Sequence, residues 1–467
     1  MKKIAYSILF ALLAILSACS SFTEIEPKGK NVLSRVEDLD MLLNYEYRQR
    51  GFAFRPVMLM ANDILPYTED IPKLLSAAEK SLTGILATWD ETLSAKRAGL
   101  TETDPTYSEC YSINAKIANA VIAKIDAAAG DRYMAERLKA EAYVLRAYMH
   151  YIVVNLYAKA YNPETAADDP GVPYIKEDDK LDVPCAKSTV AEVYENILAD
   201  LETALSLNSL PDKPINTMRV GKAFAYAVKA KALMSMHKFP EAKEAAEASL
   251  AINDFIYDQR PLIDGEFVRP WIDCQEDLFT AFYERPNIHA YTDEIMTQFE
   301  PGSISFNHFP KIDESGFPIG LIIYGVPGLT MWDNNDFYMT TGGLTTIDMY
   351  LTRAECLIRS NKGDDLQQAM NIINTIREKR IDPYEALSAS DPMQAFAYLK
   401  QLSRTENWFS YRNFVNLKRW NTEDAYKETL HKNLLGEEFE LRPDSPLWIF
   451  PFPQNATNYN PNLTQNY

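Results

Sequence analysis

A set of aromatic residues with polar neighbours has the composition of a sugar-binding surface. An aromatic face can stack on the C–H surface of a sugar ring, and binding pockets combine mostly apolar walls with a few placed polar groups. The residues that fit lie outside the helical core pattern: Trp89 beside Asp90, Tyr283 beside Glu284, Trp332 beside Asp333, and Tyr338. Each of them also has an alternative interpretation as an ordinary packing residue. The pattern makes these residues candidates for contacts with a ligand, on a surface assembled from distant parts of the chain.

The common catalytic motifs are missing from the sequence. There is no Gly-x-Ser-x-Gly elbow, no His-Glu-x-x-His pair and no Gly-rich phosphate loop. The five histidines are scattered, and His150 lies in a strongly apolar segment, where a hydrogen-bonded core role is favoured. Acidic residues are numerous, but nothing selects the two that a glycosidase needs at about 5–9.5 Å. We therefore predict a protein that is not an enzyme.

The segment Asp333-Asn-Asn-Asp336 invites comparison with a calcium-binding loop. An EF-hand loop places oxygen ligands at alternate positions, followed by Gly and a later Glu. Asp333 and Asn335 fit this spacing, but Phe337 and Tyr338 interrupt it. We interpret the segment as a turn and predict neither a metal nor another cofactor.

The first residues have the features of a secretory signal peptide. Lys2 and Lys3 precede an apolar stretch at 4–16. This stretch is too short to cross a bilayer, because a transmembrane helix needs roughly 20 apolar residues. Leu16-Ser17-Ala18-Cys19 follows and resembles the bacterial lipobox, in which the cysteine is acylated. We predict a signal peptide at 1–18, lipidation of Cys19 and a polar tether at 19–30. The alternative is an ordinary cleaved signal with an incidental cysteine.

Charge and cysteine content exclude some classes of partner. The formal net charge of −18 disfavours nucleic acid, which requires a basic surface. The four later cysteines, Cys110, Cys185, Cys274 and Cys356, show no zinc-binding spacing. Export permits disulfides, but the spacing does not distinguish them from free thiols.

Most of the mature chain shows helical periodicity. Thr189 and Glu192 form a capping box before a helix that the apolar spacing extends to 205. Three helix pairs can be recognised, at 111–128 with 135–157, at 221–236 with 239–250, and at 346–359 with 366–380. The small residues of the second pair permit close helix contact, as in tetratricopeptide repeats of about 34 residues. The sequence predicts an all-α, tetratricopeptide-like scaffold.

Other stretches modify this scaffold. The helix at 137–157 is apolar almost all round, which indicates a central position and requires partners for Glu141 and Arg146. We interpret Glu355 with Arg353 as a similar structural pair. The proline-rich segment 162–184 predicts a surface loop, and 252–345 predicts an irregular, loop-rich insert with short strands. The predicted parts are therefore 31–251, the insert 252–345, and 346–467.

Six segments, in order along the mature chain, carry a family resemblance. They are 22–29 (Phe-Thr-Glu-Ile-Glu-Pro-Lys-Gly), 141–148 (Glu-Ala-Tyr-Val-Leu-Arg-Ala-Tyr), the helix at 189–205, 348–377, 416–420 (Asn-Leu-Lys-Arg-Trp) and the close of the chain from Pro446. This ordered set resembles the SusD/RagB family of Bacteroidetes nutrient-uptake lipoproteins. The match covers nearly the whole mature chain, but 401–411 departs from the family pattern and the insert matches little.

The resemblance implies a surface protein held on the outer membrane by its lipid. It implies a SusC-like TonB-dependent transporter as partner and an oligosaccharide as ligand, without nucleic acid. It also places Asn62-Asp63 near the ligand face, so the predicted ligand residues are Asn62, Asp63, Trp89, Tyr283, Trp332 and Tyr338. Three alternatives remain: a peptide- or protein-binding uptake lipoprotein, a lipid-anchored hydrolase, and a tetratricopeptide assembly factor on the inner face of the outer membrane.

Overall fold

Eleven stretches of the chain are described by the computed structural model. They are residues 33–45, 54–65, 80–180, 183–264, 274–281, 289–290, 292–307, 331–332, 342–408, 410–434 and 436–467. At residues 289, 290, 293, 331 and 332 only the backbone is described. The predicted signal peptide, Cys19 and the tether at 19–30 lie outside these residues, as do Tyr283, Tyr338 and the segment 333–336.

Helices form most of the described structure. In chain order they are α1 (Val36–Leu43), α2 (Arg55–Met60), α3 (Leu82–Ala87), α4 (Arg97–Leu100), α5 (Pro105–Ile113), α6 (Asn119–Lys124), α7 (Arg132–Tyr157), α8 (Val190–Ser206), α9 (Lys222–Ser235), α10 (Phe239–Leu250), α11 (Asp293–Gln298), α12 (Ile304–Asn307), α13 (Thr346–Ser360), α14 (Asp365–Glu378), α15 (Pro392–Glu406), α16 (Tyr411–Trp420) and α17 (Gln454–Thr457). A π-helical turn at Asn114–Ala118 joins α5 to α6. The predicted all-α scaffold is confirmed.

The long helix α7 lies at the centre, as its apolar surface predicts. Asp131 caps it by accepting hydrogen bonds from the amides of Tyr133 and Met134, at 2.8 and 3.2 Å. Its last two-thirds are almost entirely buried. His150 is satisfied within this core, since Nδ1 lies 2.9 Å from the Arg146 carbonyl and Nε2 accepts from the Ile175 amide at 3.1 Å.

Charged residues of the core have the partners that burial requires. Glu141 accepts two hydrogen bonds from Arg219, at 2.6 and 2.7 Å, and Arg146 donates to both oxygens of Asp200 at 2.7 Å. The predicted pairing of Glu355 with Arg353 is wrong. Glu355 instead pairs with Arg359, one helical turn away, and with Arg419 of α16. Arg353 points to the other side of α13 and donates to Glu247 at 3.0 Å.

The helix pairs pack one after another into a continuous array. Neighbours in contact are α7 with α8, α8 with α9, α9 with α10, α10 with α13, α13 with α14, and α14 with α15. The predicted capping box of α8 is formed, with Thr189 Oγ1 accepting from the Glu192 amide and the Glu192 carboxylate accepting from the Thr189 amide. Because α10 packs directly on α13, the chain between them is an insertion into the array.

The insertion leaves and re-enters the array at one place, which we call the clasp. The Leu278 amide donates to the Leu344 carbonyl at 2.9 Å, the Gly342 amide to Ala281 at 2.6 Å, and the Thr346 amide to Glu276 at 2.9 Å. Within the insertion, β1 (His289–Ala290) pairs antiparallel with β2 (Met331–Trp332), and α11 and α12 follow β1. The predicted short strands are therefore present, and the two short helices were missed.

The C-terminal part adds a hairpin that the sequence reasoning did not find. Strands β3 (Leu430–Leu434) and β4 (Glu437–Leu441) pair antiparallel across a turn in which Gly436 has φ +85°. Alternate residues of β3 are buried, so Lys432 points inward with Leu430 and Leu434. All four described cysteines are free thiols, which settles the question that their spacing left open.

Candidate functional site

The loop after α2 brings two of the predicted ligand residues into the protein interior. Asn62 and Asp63 are both fully buried, and Asn62 adopts a left-handed backbone conformation with φ 60°, which Asn tolerates better than most residues. The turn directs both side chains toward α11, α15 and β3. Neither residue is a surface group in this conformation.

Asn62 connects the scaffold to the insertion. Its carbonyl accepts a hydrogen bond of 2.6 Å from the Thr292 hydroxyl, at the N-terminus of α11. Its side-chain amide donates to the carboxylate of Glu294 and, at 3.1 Å, to the carbonyl of His431. One residue therefore joins the loop after α2 to both α11 and β3.

Asp63 lies at the centre of an ionic cluster. One oxygen accepts from Arg404 at 3.1 Å, and the side-chain amide of Asn413 lies 3.1 and 3.3 Å from the two oxygens. Arg404 also donates to the Ala61 carbonyl at 3.0 Å and lies 3.6 Å from a Glu294 oxygen. Burial raises the pKa of Asp63 to about 7, although Arg404 and Asn413 favour its ionised form.

Trp89 is covered by a lysine in this structure. The ammonium of Lys432 lies 3.6 Å from the centre of the indole ring, and Trp89 is only 3% exposed. Burial lowers the pKa of Lys432 to about 7, and no carboxylate within the described ranges lies within 4 Å of it. Stacking of a sugar on this face would require β3 to move. A ligand contact at Trp89 stays a prediction.

We name Asn62, Asp63, Glu294, Arg404 and Lys432 the polar junction. Asn62 Oδ1 within the junction and Trp89 Nε1 beside it are buried and have no hydrogen-bond partner among the described residues. Buried polar atoms without a partner are rare in proteins. Both atoms belong to residues that the sequence selected for ligand binding.

The polar junction lies close along the chain to the part of the insertion that carries Trp332. The register of the β1–β2 ribbon places Trp332 opposite His289, three residues before Thr292. At about 3.3 Å per residue, this part of β1 lies within about 10 Å of Thr292 along the chain.

Two further contacts hold the insertion at the end of α11 and just after it. Gln401 donates to the Gln298 carbonyl at 3.0 Å, and Arg377 binds both oxygens of Glu300 at 2.8 and 2.7 Å.

Two cavities lie on the described surface away from the polar junction. One, of about 540 Å³, lies beside the clasp and has a mixed lining that includes Asn216, Asn253, Gln275, Asp277 and Phe224. Another, of about 530 Å³, lies beside Lys418 and the C-terminal segment. Asn62, Asp63 and Trp89, the predicted ligand residues whose side chains the structure describes, line neither cavity.

The sequence reasoning missed the charged members of the polar junction. Glu294, Arg404 and Lys432 were not predicted, because none of them stands in a recognisable motif. The inward position of Lys432 could have been inferred only if β3 had been predicted. No group of three or more His, Cys, Asp or Glu side chains in the part of the chain that the structure describes is arranged to hold a metal.

The fold and the polar junction define a class of protein: a helical array with an irregular insertion that is anchored by ion pairs and hydrogen bonds. Residues 61–234 match a SusD-like family model described as starch-binding and associating with the outer membrane. Residues 344–467 match the model of the SusD family. Together the two matches cover well over half of the chain, and the chain belongs to the SusD/RagB family.

Solved structures show the same fold at low sequence identity. A SusD superfamily protein from Bacteroides thetaiotaomicron is 16% identical with a TM-score of 0.71, covering 93% of this chain and 100% of its own. A SusD-like carbohydrate binding protein from Bacteroides vulgatus is 15% identical with a TM-score of 0.65, covering 93% and 98%. A SusD superfamily protein from Bacteroides fragilis is 16% identical with a TM-score of 0.65, covering 93% and 100%.

No curated protein sequence matches this chain. Of the helices described, none combines the length and apolar character needed to cross a membrane.

Proposed function

We propose that this protein is a lipid-anchored, cell-surface glycan-binding protein that captures an oligosaccharide and delivers it to a TonB-dependent transporter. The observation that carries the proposal is the convergence of predicted ligand residues that are distant in sequence. Asn62 and Asp63 meet the start of α11, Trp89 lies under the neighbouring Lys432, and Trp332 belongs to the ribbon that leads into α11.

The distribution of the family matches supports the insertion as the selective part. The matches end at residue 234 and resume at residue 344, so that the insertion lies in the unmatched part. A scaffold shared across a family with a divergent segment is typical of proteins that bind different ligands on one fold. We therefore propose that the ligand face includes Tyr283, Trp332 and Tyr338.

The chemistry of capture requires binding without bond cleavage. Aromatic faces would stack on sugar rings, and amide or carboxylate groups would bind hydroxyls. The unused hydrogen-bonding atoms of Asn62 and Trp89 suit a polar ligand or an ordered water between ligand and scaffold. The net charge of −18 favours neutral glycans over acidic ones, because like charges repel.

Calorimetry with the soluble protein, residues 20–467, tests glycan capture. The titrants are neutral oligosaccharides from α-glucans, xylans and mannans, with acidic oligosaccharides as a comparison. We expect heat with one neutral class, and at least a tenfold loss of affinity in Trp332→Ala. The scale is that of a nucleic-acid base stacked on an aromatic side chain, which contributes about 1–3 kcal/mol. The matched control is Tyr133→Ala, because Tyr133 is 71% exposed and belongs to the start of α7.

Other outcomes would replace this proposal. Heat with oligopeptides and not with glycans would favour the peptide-binding alternative. Cleavage of the glycan during the titration, detected by chromatography, would favour a hydrolase. Equal loss of affinity in the Trp332 and Tyr133 variants would remove the ligand face from the insertion.

Localisation and partnership need a separate experiment in cells. We expect the wild-type protein to be removed from intact cells by protease and to co-purify with a large β-barrel transporter after mild detergent extraction. Cys19→Ser should release it from the membrane fraction, because the acyl chains supply the anchor. Protection from protease in intact cells would favour the assembly-factor alternative.

A further inference from the structure

Within the described part of the insertion, few groups hold the segment next to the ribbon to the scaffold. Between β1 and the end of α11, the polar contacts described are those of Thr292 with Asn62, of Glu294 with Asn62 and Arg404, and of the Gln298 carbonyl with Gln401. The Thr292 hydroxyl has two roles, because it also accepts from the Ile295 amide at 3.3 Å and so caps α11. Glu294 is the charged group of the insertion among these contacts between β1 and the end of α11.

We propose that Glu294 is a positioning residue that sets the place of the β1–β2 ribbon, and that the polar junction makes this docking reversible. The proposal rests on the proposed function, since the ribbon carries Trp332. Only two residues lie between His289 and Thr292, so that movement of α11 is transmitted to the ribbon directly. Ile295 contributes a fully buried side chain, which keeps α11 in register with the core.

The charges around Glu294 come from each element that packs against it. The loop after α2 contributes Asp63, α15 contributes Arg404, β3 contributes Lys432, and the segment before β3 contributes Glu428. Burial raises the pKa of Glu294. It also raises the pKa of Asp63 to about 7 and lowers the pKa of Lys432 to about 7. The junction therefore changes its charge near neutral pH.

The sign of the pH effect follows from proton linkage. Undocking of α11 admits water to the junction, so that each group returns toward its ordinary pKa. For Asp63 the docked form binds the proton more tightly, and docking strengthens as the pH falls below 7. The raised pKa of Glu294 acts in the same direction. For Lys432 the docked form binds the proton less tightly, and docking strengthens as the pH rises above 7. Docking is then weakest near pH 7.

Hydrogen exchange of the ligand-free protein tests the proposal directly. Peptides covering β1, α11 and β2 are followed from pH 5.5 to 8.5, with intrinsic exchange rates corrected for pH. We expect protection to pass through a minimum near pH 7 in the wild type. Glu294→Gln should lower protection of β1 and α11 by about tenfold at pH 8, the effect of losing a hydrogen bond to a charged group. The same variant should also show a smaller increase in protection as the pH falls below 7.

Glu300→Gln provides a matched control within the same segment. Glu300 pairs with Arg377, and its side chain is 24% exposed, against 25% for Glu294. The control should loosen residues 299–303 and leave the pH profile of β1 and α11 unchanged. Glu294→Asp, which retains the charge, should restore part of the protection.

Ligand affinity gives the second readout. Glu294→Gln should weaken binding of whichever oligosaccharide of the panel binds the wild type, and Glu300→Gln should not. If no glycan binds, the proposed function fails while the exchange experiment still decides the positioning role. The positioning role is refuted if the two Gln variants change β1 and α11 equally, or if Glu294→Gln leaves the pH profile as it was.

Discussion

Replacement of Glu355 by Gln should destabilise the fold strongly. Glu355 is 4% exposed and joins α13 to α16 by accepting from two Arg419 nitrogens at 2.7 Å each and from Arg359 at 2.9 Å. Arg359 keeps a second partner, because it binds both oxygens of Glu423 at 2.7 and 2.9 Å. Arg419 is 5% exposed, so Glu355→Gln leaves its charge buried and uncompensated. Removing one partner of a buried pair costs about 3–5 kcal/mol.

The pH dependence of this loss has a defined sign. Arg419 and Arg359 hold the pKa of Glu355 well below its usual range, against the effect of burial. A carboxylate with a depressed pKa contributes stability above its unfolded pKa of about 4.3 and loses it as the pH falls toward the folded value. The difference between wild type and Glu355→Gln should therefore shrink by about 1 kcal/mol between pH 5 and pH 3.5.

Urea unfolding followed by circular dichroism measures both effects. Glu202→Gln is the control, because Glu202 is 66% exposed and lies 3.8 Å from Lys229. Its cost should stay within about 0.5 kcal/mol, as for other surface pairs. The double variant Glu355→Gln with Arg419→Gln should recover part of the stability, since no uncompensated charge remains. A loss below about 1 kcal/mol in the single variant, or a loss that does not change with pH, would refute the reasoning.

Two further buried groups give predictions for the pH dependence of stability. Lys418 donates to the carbonyls of Asn155 and Ala158 at 2.7 and 2.6 Å, and burial lowers its pKa to about 7. Wild-type stability should rise with pH between 7 and 10 through this group, and urea unfolding at pH 7.5 and 9 should show a smaller rise in Lys418→Met. Burial lowers the pKa of His150 to about 3, so the wild type should lose stability below pH 6.5, and His150→Gln should flatten this loss in unfolding experiments at pH 6.5 and 5.

The helices of the array could be predicted because their signals are local. The capping box at Thr189 and the small residues of α9 and α10 lie within one or two helical turns of one another. The polar junction could not be predicted this way. Asn62 meets Glu294 across 232 residues of chain, and Asp63 meets Arg404 across 341. The types of these residues are common on surfaces, and only the folded chain shows which of them are buried together.

Trp89 shows the limit of interpreting an aromatic residue by its neighbours. The adjacent Asp90 suggested an open sugar-binding face, yet Asp90 pairs with Lys80 at 3.0 Å and caps a short 3-10 turn. The ring itself is covered from β3, a strand that was missed because its turn lacks the residues typical of a tight hairpin. The family resemblance correctly identified the fold, since it rested on segments of the helical scaffold.

The clasp gives the insertion the properties of an exchangeable module. Backbone hydrogen bonds between residues 276–281 and 342–346 hold its two ends side by side, at a place where α10 and α13 already pack together. A change in the length between such ends costs only about 0.6 kcal/mol per doubling in loop-closure entropy. The segment can therefore be lengthened, shortened or replaced in evolution without rebuilding the array. Grafting the insertion of a relative between the same two ends is a direct route to new binding specificity on this scaffold.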